Sequence, residues 1–406
     1  MRPGVYIHIP FCENKCPYCS FLVFEKNKIS KFENIKTKYA RALKTHLKLW
    51  KDKLNINQVR TIYFGWGTPL TLGEENLIDI TQYVLEIFDP DQIEEISIEL
   101  NPSPHQKVLK FIKKFNQYFK NIFRIRYSIG IQSLQSEVLK LAWRDYNFIS
   151  VSTFLRELRN LKQQNNVINL DFIAFGIPRS SNKKDLSKFR HPTYIKFFTD
   201  LANSSFVDSF SLYFLELFAW SLWYKYLKQS KLDIKDEDSW EEFNYLKQII
   251  TQAGYSRYEV SNFSTSGKES IHNLIYWNLE PYIALWVWWA WFLPQQNGTW
   301  IRWENIKNIY EYINIISNDS EEAFSKVTKQ EVVSHQDLLF EEFFLRLRTK
   351  WGIKDIRKYP PILQSNRESK IKELATQDLI NYAPPALKLT DKGMDLSNEV
   401  ITLLTS

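Results

Sequence analysis

Glycine is scarce in this sequence. It occurs 11 times in 406 residues, whereas average usage near 7% predicts about 28. Tryptophan, with 14 residues, is correspondingly abundant. Long polar tracts and internal repeats are absent, and 44% of the residues are apolar. A chain of this length and composition can bury one large core and at least one smaller one, which predicts two or three domains.

Segments that direct a protein to or across a membrane are also lacking. The opening MRPGVYIHIP has no charged n-region, apolar h-region or cleavage site of a secretory signal. The longest uncharged apolar run, Pro281 to Pro294, is shorter than the roughly 20 residues of a spanning helix and has proline at both ends. We therefore expect a cytoplasmic protein. Peripheral contact with a membrane or partner through Trp286 to Trp291 is a lesser alternative.

Blocks of consecutive basic residues are absent as well. Lysine and arginine number 53 against 46 acidic residues, which gives a net charge of +7. This excess favours anionic partners in general. Without a concentrated basic stretch, we expect no nucleic-acid partner.

Cysteine is limited to Cys12, Cys16 and Cys19. An odd, closely spaced set without a secretory signal argues against a disulfide framework and favours metal ligation or redox chemistry. A structural zinc site usually takes its fourth ligand from a second cysteine pair, and the sequence has no second pair. A cubane iron–sulfur cluster on three thiolates leaves one iron open to a substrate or cofactor, so the spacing favours this chemistry.

The C-x3-C-x2-C spacing, with Tyr18 before the last cysteine, resembles the signature of the radical S-adenosylmethionine (SAM) superfamily. The strings YIHIPFC and YCSF around it are similar to those of the oxygen-independent coproporphyrinogen III oxidase group, and more narrowly to its HemW-type haem chaperones. The resemblance continues from about Gly4 to the end of the chain. It implies a [4Fe-4S] cluster on the three cysteines, with SAM bound to the open iron.

Short β-branched or aromatic runs alternate with helical stretches, which is the pattern of βα units and a parallel sheet. We predict an α/β fold with six strands, in agreement with the partial (β/α)6 TIM-type barrel that the resemblance implies. The predicted strands are Val5–Ile9, Thr61–Phe64, Glu95–Glu99, Arg124–Ile131, Ile168–Phe175 and Ser209–Tyr213. The predicted helices include Lys31–Trp50, Glu74–Phe88 and Ser150–Gln164.

The pattern changes after Tyr213 and again near Glu331. We expect a radical SAM barrel over residues 1–214, an elaboration over 215–330 and a small, mainly helical C-terminal domain over 331–406. The last of these is winged-helix-like by resemblance. The elaboration contains the strings YEVSNF and HNLIYW, which are similar to stretches of HemW-type proteins.

The resemblance also implies cofactor contacts just after the strands, at the carboxyl ends where barrels of this kind have their active sites. Glu99 and Asp171 would accept hydrogen bonds from ribose hydroxyls, and Arg144 would pair with the SAM carboxylate. From the residues alone, a buried, hydrogen-bonded Asp171 is an equally good interpretation. The implied SAM-binding set is Tyr6, Tyr18, Trp66, Gly67, Thr68, Glu99, Gln132, Arg144 and Asp171.

Larger residues stand where the family has glycine. In Gly65-Trp66-Gly67-Thr68-Pro69 the family has three consecutive glycines, which let the backbone approach the methionine part of SAM. An indole at this point would either fold out of the pocket or fill it. Further departures are Trp143, Trp220, Ala284, Trp286, Trp288 and Arg179 in place of glycine, and Tyr146 in place of histidine. Several tryptophans at strained or closely packed positions together cost several kcal/mol.

Two features favour one function within the group. The oxidases have an N-terminal extension and a fourth cysteine two residues after the third, whereas this chain has Phe21 there and eleven residues before Cys12. We therefore expect a chaperone that binds haem as cargo and passes it to haem-accepting proteins, with a flavodoxin or ferredoxin as electron donor. The alternatives are a coproporphyrinogen III oxidase of porphyrin biosynthesis and a remnant that keeps the cluster without binding SAM.

Overall fold

Six parallel strands form the centre of the computed structural model and lie side by side in chain order. They are β1 (Gly4–Ile9), β2 (Thr61–Trp66), β3 (Glu95–Leu100), β4 (Arg124–Gln132), β5 (Asn166–Ala174) and β6 (Ser209–Phe214). The structure describes residues 2–20, 22–120, 122–176, 179–180, 191–215, 221–230, 232–285, 290–294, 299–318, 320–359 and 367–405.

The α/β fold and its parallel core are confirmed, and each predicted strand agrees with the observed one within two residues at either end. Within the described ranges the sheet is open, with Ser256–Arg257 at one edge and Thr328–Val333 at the other. The carboxyl ends of the six parallel strands meet along one rim. Side chains from different strands therefore converge there.

Helices between the parallel strands cover the outer face of the sheet. The first, α1 (Phe32–Leu54), buries Tyr39, Leu43, Leu47 and Trp50 at three- and four-residue spacing, which is the apolar stripe of an amphipathic helix. The others up to the end of the parallel core are α2 (Glu74–Ile87), α3 (His105–Tyr118), α4 (Ser136–Leu141), α5 (Phe148–Leu161) and α6 (Pro192–Ala202). The predicted helices correspond to α1, α2 and α5.

Further strands extend the sheet at both edges. On the β6 side lies the antiparallel β7 (Asn262–Ser264), and on the β1 side lies the parallel β8 (Tyr282–Leu285). Three antiparallel strands follow β8, namely β9 (Ala290–Pro294), β10 (Trp300–Asn305) and β11 (Thr328–Val333). Two-residue strands occur at Phe11–Cys12, Phe24–Glu25, Arg179–Ser180, Leu232–Asp233 and Ser256–Arg257.

The apolar run from Pro281 to Pro294 thus contains β8 and β9 rather than a helix. Its tryptophans Trp286 and Trp288 lie outside the described residues, as do Trp220 and Phe21. None of the helices that the structure describes is long and apolar enough to cross a bilayer.

The C-terminal part has a core of its own, formed by buried residues between Phe343 and Leu404. Its strands β12 (Ile380–Ala383) and β13 (Ala386–Leu389) form an antiparallel hairpin between helices, so the part is mainly helical as predicted. The exact domain boundaries stay a prediction. The helices after β6 are α7 (Leu222–Gln229), α8 (Asp236–Gln252), α9 (Ile271–Trp277), α10 (Ile309–Ile316), α11 (Glu321–Val327), α12 (His335–Leu347), α13 (Arg367–Thr376), α14 (Asp391–Asp395) and α15 (Ser397–Thr405).

Candidate functional site

A cavity of about 1370 Å³ opens at the carboxyl ends of the parallel strands. All twelve residues that the sequence singles out line it: Cys12, Cys16, Cys19, Tyr6, Tyr18, Trp66, Gly67, Thr68, Glu99, Gln132, Arg144 and Asp171. The sequence predicted that the cofactor contacts follow the strands, and this is wrong for some of them. Tyr6, Glu99 and Asp171 are inside strands and project inward through the period-2 alternation of the sheet.

The loop after β1 carries the three cysteines. Cys12 belongs to a short strand that pairs with Phe24–Glu25, and Cys19 donates its backbone N–H to the carbonyl of Cys16 at 3.1 Å. None of the three cysteines forms a disulfide, and all three are partly exposed and line the cavity. The loop therefore brings all three cysteines to the lining of one cavity.

The loop after β2 is fastened to this cysteine loop. The backbone N–H of Gly67 donates to the carbonyl of Ile9 at 3.0 Å, and that of Thr68 donates to the carbonyl of Phe11 at 2.8 Å. A Cβ atom on Gly67 would lie 2.6 Å from the Phe11 carbonyl oxygen, closer than real Cβ atoms approach. Glycine is required at this position because two backbone segments meet there.

The thiols have the chemistry of cluster ligands. Burial raises the pKa of Cys12 to about 12, so the free thiol keeps its proton and a bound metal would displace it. Within the described ranges, no three His, Cys, Asp or Glu side chains are grouped closely enough to hold a single metal ion. A four-iron cluster contacts each thiolate through a different iron and so needs wider spacing. Three thiolates without a fourth protein ligand fit such a cluster.

Arg144 is a half-buried cation that lines the cavity together with the cysteines. One guanidinium nitrogen donates to Asn101 Oδ1 at 3.0 Å and another to the hydroxyl of Tyr18, while the buried Nε has no hydrogen-bond partner. In the described part of the chain no carboxylate pairs with it. A half-buried cation with an unused donor suits a ligand carboxylate, which is the role the resemblance implies.

The position of Arg144 depends on how α4 ends. The Arg144 N–H donates to the carbonyl of Leu139 and the Trp143 N–H to that of Lys140, at 2.9 and 3.2 Å. This pair of bonds is a Schellman motif, whose left-handed position is usually glycine. Trp143 occupies it with φ of 54° and an indole that is 51% exposed.

Glu99 and Asp171 are half-buried hydrogen-bond acceptors on the cavity wall. Glu99 accepts from the Tyr63 hydroxyl at 2.7 Å and from the Trp66 backbone N–H at 2.9 Å. Burial raises its pKa to about 7. Asp171 accepts from Ser128 Oγ at 2.9 Å, and burial raises its pKa too. Both interpretations of Asp171 therefore hold, because it is hydrogen-bonded within the protein and also faces the cavity.

Trp66 fills part of the cavity wall. Its φ of 93° is a backbone conformation that favours glycine, and its indole lies against His8 with ring centres 5.4 Å apart. Gln132 also has a positive φ, of 66°, where β4 bulges out of register with β5. The bulge turns the Gln132 side chain toward the cavity.

Several cavity residues were not predicted from the sequence. Tyr63 could have been inferred from the alternation along β2, which places it on the same face as Gly65. Asn101 bridges two predicted residues, because its amide donates to Thr68 Oγ1 at 3.1 Å and its oxygen accepts from Arg144. Tyr276 lies in the string HNLIYW, which was not assigned to the cavity. The other aromatic residues farther along the chain had no motif to mark them, namely Tyr213, Phe214, Trp240 and Tyr282.

Residues 6–177 match the family described as the radical SAM superfamily. Curated proteins named haem chaperone HemW are similar over nearly the whole chain. The Bacillus subtilis protein is 28% identical, covering 98% of this chain and 97% of its own, and that of Buchnera aphidicola is 29% identical with the same coverage. The Lactococcus lactis protein is 27% identical, covering 98% and 96%.

A solved structure supports the fold alone. Coproporphyrinogen III oxidase (HemN) from Escherichia coli, described as a radical SAM enzyme, superposes with a TM-score of 0.73 at 18% identity, covering 100% of this chain and 90% of that one. Residues 6–177 of this chain thus match the radical SAM family, and the chain is similar to HemW-type proteins over almost its whole length.

Proposed function

We propose that this chain is a HemW-like haem chaperone. In this proposal it holds a [4Fe-4S] cluster on Cys12, Cys16 and Cys19, binds SAM beside the cluster, and binds haem for transfer to haem-accepting proteins. The observation that carries the proposal is the convergence of three thiols and nine further predicted residues on one cavity. The names of the similar proteins support haem as the cargo.

The residues around the thiols would each contribute to SAM binding. Arg144 offers a half-buried guanidinium for the SAM carboxylate. Glu99 and Asp171 offer carboxylate oxygens for the ribose hydroxyls. When bound, the cluster would supply an electron to SAM. The protein contributes by excluding water and by fixing these donors and acceptors before the ligand arrives.

The remaining parts of the proposal concern partners and location. A flavodoxin or ferredoxin would donate the electron, and the protein would work in the cytoplasm, with peripheral membrane contact as a secondary hypothesis. These statements rest on the sequence and its resemblance.

The test is anaerobic reconstitution followed by iron and sulfide analysis, electron paramagnetic resonance with and without SAM, and haemin titration. We expect about four irons per chain, a spectrum that changes when SAM is added, and a shifted Soret band. Each of Cys12→Ala, Cys16→Ala and Cys19→Ala should lose the cluster. Bound zinc, or an intact cluster in one of these variants, would contradict the ligand assignment.

A second candidate function is that of the oxidase, because the fold of HemN covers this whole chain. Against it stands Phe21 at the position of the fourth cysteine. The same reconstituted protein should be assayed for conversion of coproporphyrinogen III to protoporphyrinogen. Measurable conversion would replace the chaperone proposal. A cluster that binds but does not respond to SAM would identify the third candidate, a SAM-deficient remnant, for which Trp66 is the motivating residue.

A further inference from the structure

The cavity is larger than one cofactor requires. Sites for ligands of moderate size usually enclose about 300–1000 Å³, whereas this one has about 1370 Å³. The predicted cluster and SAM contacts come from the loops and strands between β1 and β5, with Arg144 just after α4. A second part of the lining comes from β6, α8 and the segment that joins α14 to α15. This second part has no role in the proposed SAM site.

Aromatic and aliphatic side chains dominate this second part. Trp240 and Phe243 of α8 are stacked, with ring centres 5.7 Å apart and planes inclined by 7°. Phe214, the last residue of β6, has its ring centre 6.4 Å from that of Trp240. Leu396 lines the cavity beside them. We refer to these four residues as the aromatic wall.

The aromatic wall faces open space. Phe214 is 37% exposed, Trp240 is 39% exposed and Leu396 is 37% exposed, although all three line the cavity. Large apolar side chains contribute most to stability when they are buried, so a group of them left open inside a cavity marks a binding surface for an apolar ligand. Phe243 is buried and stacks on Trp240, so the partly exposed indole presents a flat contact, which favours a flat ligand.

The charges around the aromatic wall are acidic. Asp236, Glu237 and Glu399 line the same part of the cavity, are exposed, and have no ion pair among the described residues. The nearby cation Arg257 is already paired with Asp395 at 2.6 Å. An anionic group on the ligand would therefore be repelled from this side and would point away from it.

We propose that the aromatic wall binds the macrocycle of haem, with the two propionates directed away from Asp236, Glu237 and Glu399. The inference rests on the proposed haem chaperone function and assigns the cargo its own place, apart from the SAM contacts. A porphyrin is flat and apolar over most of its area, so it covers the exposed faces of Phe214 and Trp240 and removes them from water.

The test is titration of haemin into the cluster-reconstituted chain, followed by the Soret band. We expect Trp240→Ala and Phe214→Ala each to weaken haemin binding at least tenfold, and Trp240→Phe to retain most of the affinity. The matched control is Trp351→Ala, because Trp351 is 47% exposed but does not line the cavity. Asp236→Asn combined with Glu237→Gln should strengthen binding of the anionic haemin.

The titration distinguishes failure of the haem site from failure of the proposed haem chaperone function. If the wild type does not bind haemin, both fail. If the wild type binds and the Trp240→Ala and Phe214→Ala variants bind equally well, the chaperone proposal stands and the aromatic wall is not its haem site. An equal loss in Trp351→Ala would also overturn the inference, because the effect would then not be local. Melting temperatures and SAM-dependent paramagnetic spectra that match the wild type verify that each variant is folded.

Discussion

Two tryptophans have backbone conformations that glycine adopts at little cost. Trp66 has φ of 93° and Trp143 has φ of 54°, and left-handed conformations cost a residue with a side chain roughly 1–2 kcal/mol. Both precede a residue of the proposed SAM site, namely Gly67 and Arg144. Within the described residues Trp66 packs against His8 and Trp143 against Tyr226, and neither contact explains tryptophan at a positive φ.

Replacing Trp66 with glycine should strengthen SAM binding. The indole lines the cavity against His8, and a tryptophan side chain occupies area of about 150–250 Å² that a ligand cannot use. We expect Trp66→Gly to raise SAM affinity at least tenfold, equivalent to about 1.4 kcal/mol. Calorimetric titration of SAM into both reconstituted proteins measures this. Equal, micromolar binding by the two would mean that the indole does not obstruct the ligand.

Replacing Trp143 with glycine should stabilise the fold by about 1 kcal/mol, because glycine satisfies the Schellman motif without left-handed strain. The indole is 51% exposed, and loss of its edge-to-face contact with the Tyr226 ring offsets part of the gain. Differential scanning calorimetry should therefore show a higher melting temperature. Trp351→Gly is the control, since Trp351 is similarly exposed and its φ is not positive. That variant should be neutral or less stable, and a gain in both would mean that relief of strain is not the cause.

The titration of Glu99 should make stability depend on pH. Burial raises its pKa to about 7, above its ordinary value of 4.5. The native state then binds more protons than the unfolded state between these values. Glu99 therefore contributes stability at low pH that is lost as the pH rises through about 7.

We expect Glu99→Gln to remove this dependence. Between about pH 5 and 7 the melting temperature of the cluster-free wild type should fall more steeply with rising pH than that of the variant. Glu368→Gln, at an exposed carboxylate, should follow the wild type. Parallel curves for wild type and Glu99→Gln would show that Glu99 is ionised throughout this range.

At the scale of elements, the sequence determines the parallel core well. The runs that form β1 to β6 are bounded by polar residues and turn residues, and their alternation also places Glu99 and Asp171 on the inner face. The added strands were not predicted. The pairing of β8 with β1 joins segments more than 270 residues apart, and local pattern contains no information on such a contact. The same limit explains why Phe214, Trp240 and Leu396 could not be grouped in advance.

The packing of the β2 loop on the cysteine loop gives a prediction for Gly67. In Gly67→Ala the new methyl group would meet the carbonyl oxygens of Ile9 and Phe11 at 2.7 and 2.6 Å, so the cysteine loop must shift. We expect iron incorporation after reconstitution to fall at least severalfold. Gly267→Ala is the control, because that glycine has a positive φ but no neighbour within 4 Å. It should lose some stability and keep its iron, and full iron content in both variants would contradict the role assigned to Gly67.

At the scale of the whole molecule, the C-terminal part closes one side of the cavity. Met394, Leu396 and Glu399 line the cavity together with residues of the barrel. Ion pairs connect α14 of the C-terminal part to the rest of the chain. Lys247 and Arg257, from the barrel side, pair with Asp391 and Asp395 at distances of 2.5 to 2.9 Å. The boundary between the two cores is therefore held by charge as well as by packing.

Of the four charged residues in these ion pairs, we expect Asp395 to contribute most to the stability of the C-terminal part. Its side chain is 6% exposed and pairs with both Lys247 and Arg257, and Arg257 itself is 7% exposed. Removing one partner of a buried ion pair commonly costs about 3–5 kcal/mol, and here Asp391, whose side chain is 55% exposed, still pairs with both cations and offsets part of that cost. In Asp395→Asn the segment from α14 to α15 should open more often while the parallel core stays closed. Amide hydrogen exchange should therefore become at least tenfold faster in residues 391–405 and stay unchanged in β1 to β6.

The control is Asp355→Asn, which breaks the exposed pair with Arg357 and should leave amide hydrogen exchange in both regions as in the wild type. Unchanged exchange in Asp395→Asn would mean that the apolar core between Phe343 and Leu404, rather than the ion pairs, fixes the C-terminal part over the cavity.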